Sequence, residues 1–374
     1  MKNNVVKFGG SSVASLENIN CCKNIIFSKK TRKIIVVSAF GKQNENDEKL
    51  TNLLIDCVQA KLKKNNFEVE YKKVEQKIKT MCKMLGVDYC YNRVLKKIKK
   101  QFITNNDIDF FVSRGEYLTG KILAKYFCLP FVDAKNIMFF KNKKPDYIAI
   151  KNMLNKIFLK HKKIIIPGFY AVENSKIFLF SRGGSDISGA ILANAINAKI
   201  YENFTDVNGF LPINPNIVKN NIAIKKLDIK KLEFFTKCDA TVLHQDCAKI
   251  LKNSNTILKI KSTLLNGKGG TKITKKTTKN NFICKMSKGK GVNVYINYKS
   301  QIHKNYYIKY ANCNNIKYAD MSKYQIVLLC DVFCYKKVMQ DCFCIMQHLS
   351  WKTFAFVVLY LQWGKYERKS SCCT

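Results

Sequence analysis

Two glycine loops bracket the chemistry open to this chain. Lys7-Phe8-Gly9-Gly10-Ser11-Ser12 lies at the amino terminus and Ser181-Arg182-Gly183-Gly184-Ser185-Asp186 in the middle, each after an apolar, β-rich run and before an amphipathic one. A glycine loop in that setting presents backbone N–H groups and a helix N-terminus to phosphate. With a lysine beside one loop and an arginine and an aspartate in the other, the two read as halves of one phosphoryl-transfer site.

Arginine usage sharpens this. The chain has 66 Lys and Arg, yet only Arg32, Arg93, Arg114, Arg182 and Arg368 are arginine. Two of these, Arg114 and Arg182, sit in glycine motifs. Arginine grips carboxylate and phosphate through a planar fork that lysine cannot copy, so a lysine-using chain is expected to keep arginine where that geometry is needed.

Bulk properties exclude several classes. At 374 residues and 47% hydrophobic content the chain can bury one large domain and a smaller one. The net charge of +40 is spread from Lys2 to Lys369 without a basic stripe interleaved with aromatics, so nucleic acid is not an expected partner. The longest apolar run, residues 354–363, falls short of the roughly 20 residues that span a bilayer, so no membrane partner is expected. Met1-Lys2-Asn3-Asn4 leads straight into a strand-like run without a signal-peptide pattern, and the 16 cysteines are therefore expected to be reduced thiols of a cytoplasmic protein. No Cys-x-x-Cys pair occurs and the four histidines lack ligand spacing, so no resident metal site is expected.

The elements that must position the loops follow from periodicity. Residues 5–8 and 33–39 read as buried strands flanking a helix over 15–27 with Ser15 as its N-cap, a strand-loop-helix-strand unit of the parallel α/β kind. Residues 50–102 have helical spacing and no proline, which suggests a pair of helices forming a lobe or lid. A helix over 107–127 is expected to be broken or entered at Ser113-Arg114-Gly115-Glu116, followed by a strand at 130–133. Strands at 164–168 and 176–180, a helix over 185–197, a strand at 199–204, helices near 230–235 and 245–253 and a strand at 256–261 continue the alternation. Gly267-Lys268-Gly269-Gly270-Thr271 looks like a domain boundary. Beyond about residue 275 periodicity weakens, and seven of the cysteines follow Asn312.

No Gly-x-x-x-x-Gly-Lys-Ser/Thr, His-Arg-Asp or Asp-Phe-Gly occurs, which disfavours P-loop and protein-kinase folds. In contrast K-F-G-G-S-S, V-V-S-A, S-R-G-E, S-R-G-G-S-D, T-D-V-N-G-F and Val242-Leu243-His244 occur in an order and spacing that resembles aspartate kinase, of the amino acid kinase superfamily, over roughly residues 3–273. The resemblance implies an α/β fold, a three-layer αβα sandwich around a mainly parallel sheet over 1–275, followed by a small diverged or incomplete ACT-like α+β region over 276–374. It also implies transfer of the γ-phosphoryl group of ATP to the β-carboxylate of L-aspartate, with Mg²⁺, at the head of lysine, threonine and methionine synthesis.

Roles follow by the same resemblance. Lys7 would neutralise the transferring phosphoryl group, with Gly9, Gly10 and Ser11 donating to the nucleotide. Asp186 would organise that lysine and the phosphates; an N-cap for the helix entering at Ile187 is its other reading. Arg182 would clamp the α-carboxylate of aspartate and Glu116 receive its ammonium group, with Ser38 and Thr51 in the same pocket. Gly183, Gly184, Ser185, Thr205, Asp206 and Phe210 would border the nucleotide, an ordinary strand-ending turn being the alternative at Thr205-Asp206.

The chain departs from the family pattern at Ile213-Asn214-Pro215-Asn216, where many members carry Ala-Asp-Pro-Arg, and at Thr241, where some carry lysine. The family also implies a homodimer built through paired ACT domains, which the tail does not show in recognisable form, so weak or absent inhibition by lysine or threonine is expected. The alternatives are a catalytically weak paralogue serving as a binding or regulatory subunit, and another amino acid kinase acting on glutamate or acetylglutamate.

Overall fold

The computed structural model describes residues 3–88, 91–105, 107–181, 183–211, 223–236, 243–276, 282–288, 291–297, 307, 317–322, 325–330, 338 and 340–342. The chain forms two compact units, one of Met1–Phe210 with Leu243–Lys275 and one of Leu211–Val242 with Lys276–Thr374.

In the first unit, β1 (Asn4–Phe8), α1 (Leu16–Phe27) and β2 (Arg32–Val37) make the expected opening motif. Ser15 caps α1, its hydroxyl accepting from the Asn18 N–H at 3.3 Å. Three helices then occupy the lysine-rich stretch where two were expected: α2 (Leu50–Leu62), α3 (Glu68–Leu85) and α4 (Tyr91–Asn105). The breaks lie at a left-handed Lys64 (φ 58°) and at Gly86, the left-handed C-cap of α3.

The next helix, α5 (Ile108–Tyr126), runs unbroken through Ser113-Arg114-Gly115-Glu116. Gly115 is there for packing rather than for a break, because a Cβ on it would stand 3.2 Å from the Ala39 methyl and 3.3 Å from Leu54. The strand expected at 130–133 is only a single bridge between Phe131 and Ile165.

A hairpin of β3 (Phe140–Lys141) and β4 (Lys144–Pro145), α6 (Tyr147–Lys160) and β5 (Ile164–Pro167) come next. They are followed by a second hairpin, β6 (Tyr170–Glu173) with β7 (Lys176–Leu179), which stands apart from the main sheet, and then by α7 (Gly184–Ala195) and β8 (Ile200–Thr205). The second unit's β9 (Lys226–Asp228) and α8 (Ile229–Thr236) precede α9 (Gln245–Lys252), β10 (Ile257–Ser262) and β11 (Thr271–Thr274) of the first.

Five strands run parallel in the order β5-β2-β1-β8-β10, and β11 closes antiparallel onto β10. The glycine-rich segment 267–270 is thus the turn of that last hairpin, with positive φ at Gly267, Gly269 and Gly270 erasing the periodic pattern. Val6, Phe8, Ile35 and Val37 on the inner strands join Ile19, Cys22 and Ile26 of α1 and Phe111, Leu118 and Ile122 of α5 in one buried core. The sandwich around a mainly parallel sheet is the expected fold.

In the second unit, β12 (Phe282–Lys288), β13 (Gly291–Asn297), β14 (Lys317–Ser322) and β15 (Gln325–Cys330) form an antiparallel sheet in the order β12-β13-β15-β14.

Candidate active site

From β1 the chain moves through β2 to β5 on one side of the sheet, then crosses to β8 and β10 on the other, so the order reverses between β1 and β8. In open α/β sheets ligands bind beyond the carboxyl ends of the strands at such a switch point. Lys7 of β1 and Asn203 of β8 face each other there in register.

Lys7 Nζ lies 2.7 Å from Asp186 Oδ1, and Asn203 Nδ2 donates to the same oxygen at 3.0 Å. The backbone N–H of His244 approaches the other carboxylate oxygen, Oδ2, at 3.4 Å. Lys7 and Asp186 are only 8% and 7% exposed. A buried charge pair of this kind survives only when the remaining lone pairs are also met, and both oxygens of Asp186 are met here. The capping alternative for Asp186 fails: α7 begins one residue after Gly183, its N-cap, and Asp186 sits in the first turn with its carboxylate turned to Lys7.

The two loops differ in what they leave free. Gly9 N–H donates to the Phe204 carbonyl at 3.1 Å and is engaged in the fold rather than turned to a nucleotide. The Gly10 carbonyl accepts from Val13 at 3.2 Å and from Gly41 at 3.1 Å. That approach requires glycine at 41, where a Cβ would lie 2.4 Å from the Gly10 oxygen. In the second loop Gly183 has φ +87°, a conformation that favours glycine. Ser185 is buried at the start of α7. Arg182 lies outside the described residues.

Glu116 is 4% exposed on α5. Its Oε1 accepts from the Ala39 N–H at 3.2 Å, while Oε2 is buried without a hydrogen-bond partner. Burial pushes its carboxyl up to about 8, against smaller opposing effects of the Ala39 N–H and the Arg114 charge. One turn on, Thr119 Oγ1 accepts from the Phe40 N–H at 3.0 Å, so α5 grips the segment after β2 at two successive turns. Ser38, whose N–H donates to the Phe8 carbonyl at 3.1 Å, and Thr51 in the first turn of α2 are both half-buried next to that grip. The α3 residue Lys77 donates to the Gly41 carbonyl at 2.9 Å and pairs with Asp47, tying the helical lobe to the same loop.

Thr205 ends β8 and Asp206 follows it, the Thr205 hydroxyl donating to Asp206 Oδ1 at 2.7 Å. Phe210 is fully buried and its N–H donates to Thr271 Oγ1 at 2.7 Å; its ring belongs to the core rather than to a nucleotide surface. Arg114 departs from the expectation that arginine marks a ligand site. That guanidinium is buried against the Phe110, Tyr117 and Tyr170 rings and donates to Ser113 Oγ and the Phe110 carbonyl, so it builds α5 and its surroundings rather than facing a ligand. The fork appears instead at Arg32, which takes both oxygens of buried Glu202 at 2.6 and 2.9 Å.

Asn203, His244 and Thr119 are the participants that sequence reasoning did not assign. The departures at 213–216 and Thr241 lie outside the described residues.

Residues 2–262 match the amino acid kinase family, and the chain belongs to that family. Within it, the chain is 28% identical over 296 residues to aspartokinase 3 of Bacillus subtilis, covering 74% of this chain and 64% of that protein. It is 25% identical over 281 residues to the aspartokinase of Chlamydia pneumoniae, covering 71% and 62%. The chain thus spans a little under two thirds of the length of these relatives. Among solved structures, the aspartate kinase of Clostridium acetobutylicum superposes with a TM-score of 0.77 at 25% identity, covering 93% of this chain and 100% of that one. E. coli aspartokinase III, solved with aspartate and ADP, shares the fold at a TM-score of 0.64 and 20% identity, covering 88% and 79%.

Proposed function

We propose that this chain transfers the γ-phosphoryl group of ATP to the β-carboxylate of L-aspartate, giving 4-phospho-L-aspartate and ADP at the entry to lysine, threonine and methionine synthesis. The observation that carries the reading is the buried Lys7–Asp186 pair at the switch point beside the Gly10-Ser11 turn. The aspartokinase relatives support the choice of substrate.

The nucleophile is a carboxylate, ionised at neutral pH, so no general base is needed. The barrier is electrostatic: each pair of like charges brought to about 4 Å costs roughly 4 kcal/mol at an effective dielectric near 20. Lys7, aimed by Asp186 and Asn203, supplies positive charge where the γ-phosphoryl group moves, and its alignment costs no reorganisation at that moment. A β-carboxylate oxygen bonds to the γ-phosphorus as the bond to the β–γ bridging oxygen breaks, and the electron pair leaves with ADP.

Glu116 reads the amino group. Its free, buried Oε2 is an acceptor waiting for a donor, and the ammonium of an amino acid satisfies both its charge and its hydrogen-bonding capacity. Arg182 takes the α-carboxylate in this reading. Mg²⁺ would come with the ATP phosphates and would neutralise part of their charge in this reading. Residues 1–275 form the catalytic region and 276–374 an ACT-like appendage; the homodimer and the cytoplasmic setting belong to the same reading. No helix among the described residues is long and apolar enough to cross a membrane.

The test is incubation of purified protein with ATP, Mg²⁺ and a panel of amino acids, trapping acyl phosphate with hydroxylamine. Aspartyl hydroxamate should form, with little product from glutamate; equal rates on the two would remove the assignment.

A further inference from the structure

We propose that His244 is a positioning residue that latches Ser181 and the Gly183–Asp186 turn to the start of α9, holding them ready for the substrate. The proposal rests on the aspartate kinase reading only for the identity of that substrate.

His244 is the N-cap of α9, in extended backbone conformation. Its Nδ1 accepts from the Asp246 N–H at 3.1 Å, which places the proton of the neutral ring on Nε2. Nε2 lies 3.0 Å from Ser181 Oγ and donates to it. The ring also lies against Gly183, where a Cβ would stand 3.3 Å from the His244 Cβ and 3.4 Å from its Cδ2. Beyond the loop, the His244 backbone N–H reaches Asp186 Oδ2 at 3.4 Å.

One residue therefore touches the loop before, at and after its glycine turn. A helix cap alone needs one short acceptor, and Ser, Thr, Asp or Asn serves best. Histidine is not among the preferred capping residues, but its planar ring carries a second nitrogen on the far side. That second nitrogen turns a cap into a bridge between α9 and the loop. A loop held in its working shape loses less conformational freedom on binding, so the effect belongs to substrate affinity rather than to turnover.

Two substitutions separate bridge from cap, because Asn places its side-chain polar atom near Nδ1 and Gln near Nε2. His244→Asn keeps the cap and loses Ser181; His244→Gln keeps a donor for Ser181 and weakens the cap. Hydrogen exchange over residues 181–186 and 245–252 reads the latch without reference to activity, and aspartate KM and kcat read its consequence.

His244→Asn and Ser181→Ala should each speed exchange in the loop with α9 unchanged. Each should raise aspartate KM about threefold to tenfold, the worth of one hydrogen bond, with kcat within about twofold. The double variant should add nothing further. His244→Gln should return the loop and KM toward wild type while α9 exchanges faster. Wild-type exchange and KM in His244→Asn and Ser181→Ala, with only His244→Gln impaired, would make His244 a cap and overturn the proposal. Faster loop exchange at unchanged KM would overturn it too. Should the wild-type protein fail to phosphorylate aspartate, the functional reading falls while the exchange data still decide the latch.

Discussion

Lys7 Nζ and Asp186 Oδ1 stand 2.7 Å apart between the end of β1 and the first turn of α7, with Asn203 Nδ2 on the same oxygen at 3.0 Å. The two glycine loops, 174 positions apart from Lys7-Phe8-Gly9-Gly10 to Ser181-Arg182-Gly183-Gly184, are joined by this contact. Lys7→Ala removes the charge that the moving phosphoryl group meets, so kcat should fall by about a hundredfold or more with a smaller change in aspartate KM. Steady-state kinetics at saturating ATP checks this, and a near-normal turnover number takes Lys7 out of the site.

Asn203 aims Asp186, and its own Oδ1 is buried without a hydrogen-bond partner. Asn203→Leu deletes the useful donor and the unmet acceptor together. Thermal stability should therefore change little, by within about 1 kcal/mol, while kcat drops about tenfold, the worth of a hydrogen bond to a charged group. A loss of stability with full turnover would make Asn203 a structural residue only.

Glu116 gives a pH dependence with a definite sign. Its carboxyl, pushed up to about 8 by burial, binds a proton in the folded protein across the range from its ordinary value near 4.5 up to about 8. Its contribution to stability is therefore present below about 4.5 and is lost as pH rises through that window. Aspartate binding needs the carboxylate and so releases that proton. Between pH 8 and pH 6.5 the aspartate KM should rise roughly fifteenfold as the ionised fraction falls. In Glu116→Gln the KM should be high and flat over the same range; an unchanged slope in that variant would assign the titration to another group.

The loops, the first strand-helix-strand unit and the α7–β8 pair were legible because their signals are local: alternating apolar runs, a serine cap, glycines at strand ends. Arg114 shows where that logic stops. Its type and its place in S-R-G-E point to a ligand, and only the packing of α5 reveals the three aromatic rings around it. The Asn203 and His244 contacts with Asp186 join positions 17 and 58 apart along the chain, so no local period marks them. Gly267–Gly270 read as a boundary because a turn and a linker share the same composition; strand pairing alone distinguishes them.

Arg32 and Glu202 form the forked pair that the scarcity of arginine pointed to, in a structural place. Burial would raise the Glu202 carboxyl, but the Arg32 bond and charge, helped by Lys261, hold it below its ordinary range. Arg32→Met leaves that carboxylate without its fork and should cost about 3–5 kcal/mol in denaturant unfolding. Adding Glu202→Met should recover much of the loss, and failure of the second change to recover any would locate the cost in packing instead.

Isotope tracing tests the central claim most directly. L-Aspartate labelled with ¹⁸O in its β-carboxylate alone is incubated with the protein, ATP and Mg²⁺, and the product is cleaved with hydroxylamine. Attack by a β-carboxylate oxygen on the γ-phosphorus leaves that oxygen bonded to phosphorus when hydroxylamine takes the acyl carbon. The inorganic phosphate released should therefore carry one ¹⁸O atom, with ADP formed in equal amount. Phosphate without label, or ADP formed without hydroxamate, would contradict transfer to the β-carboxylate.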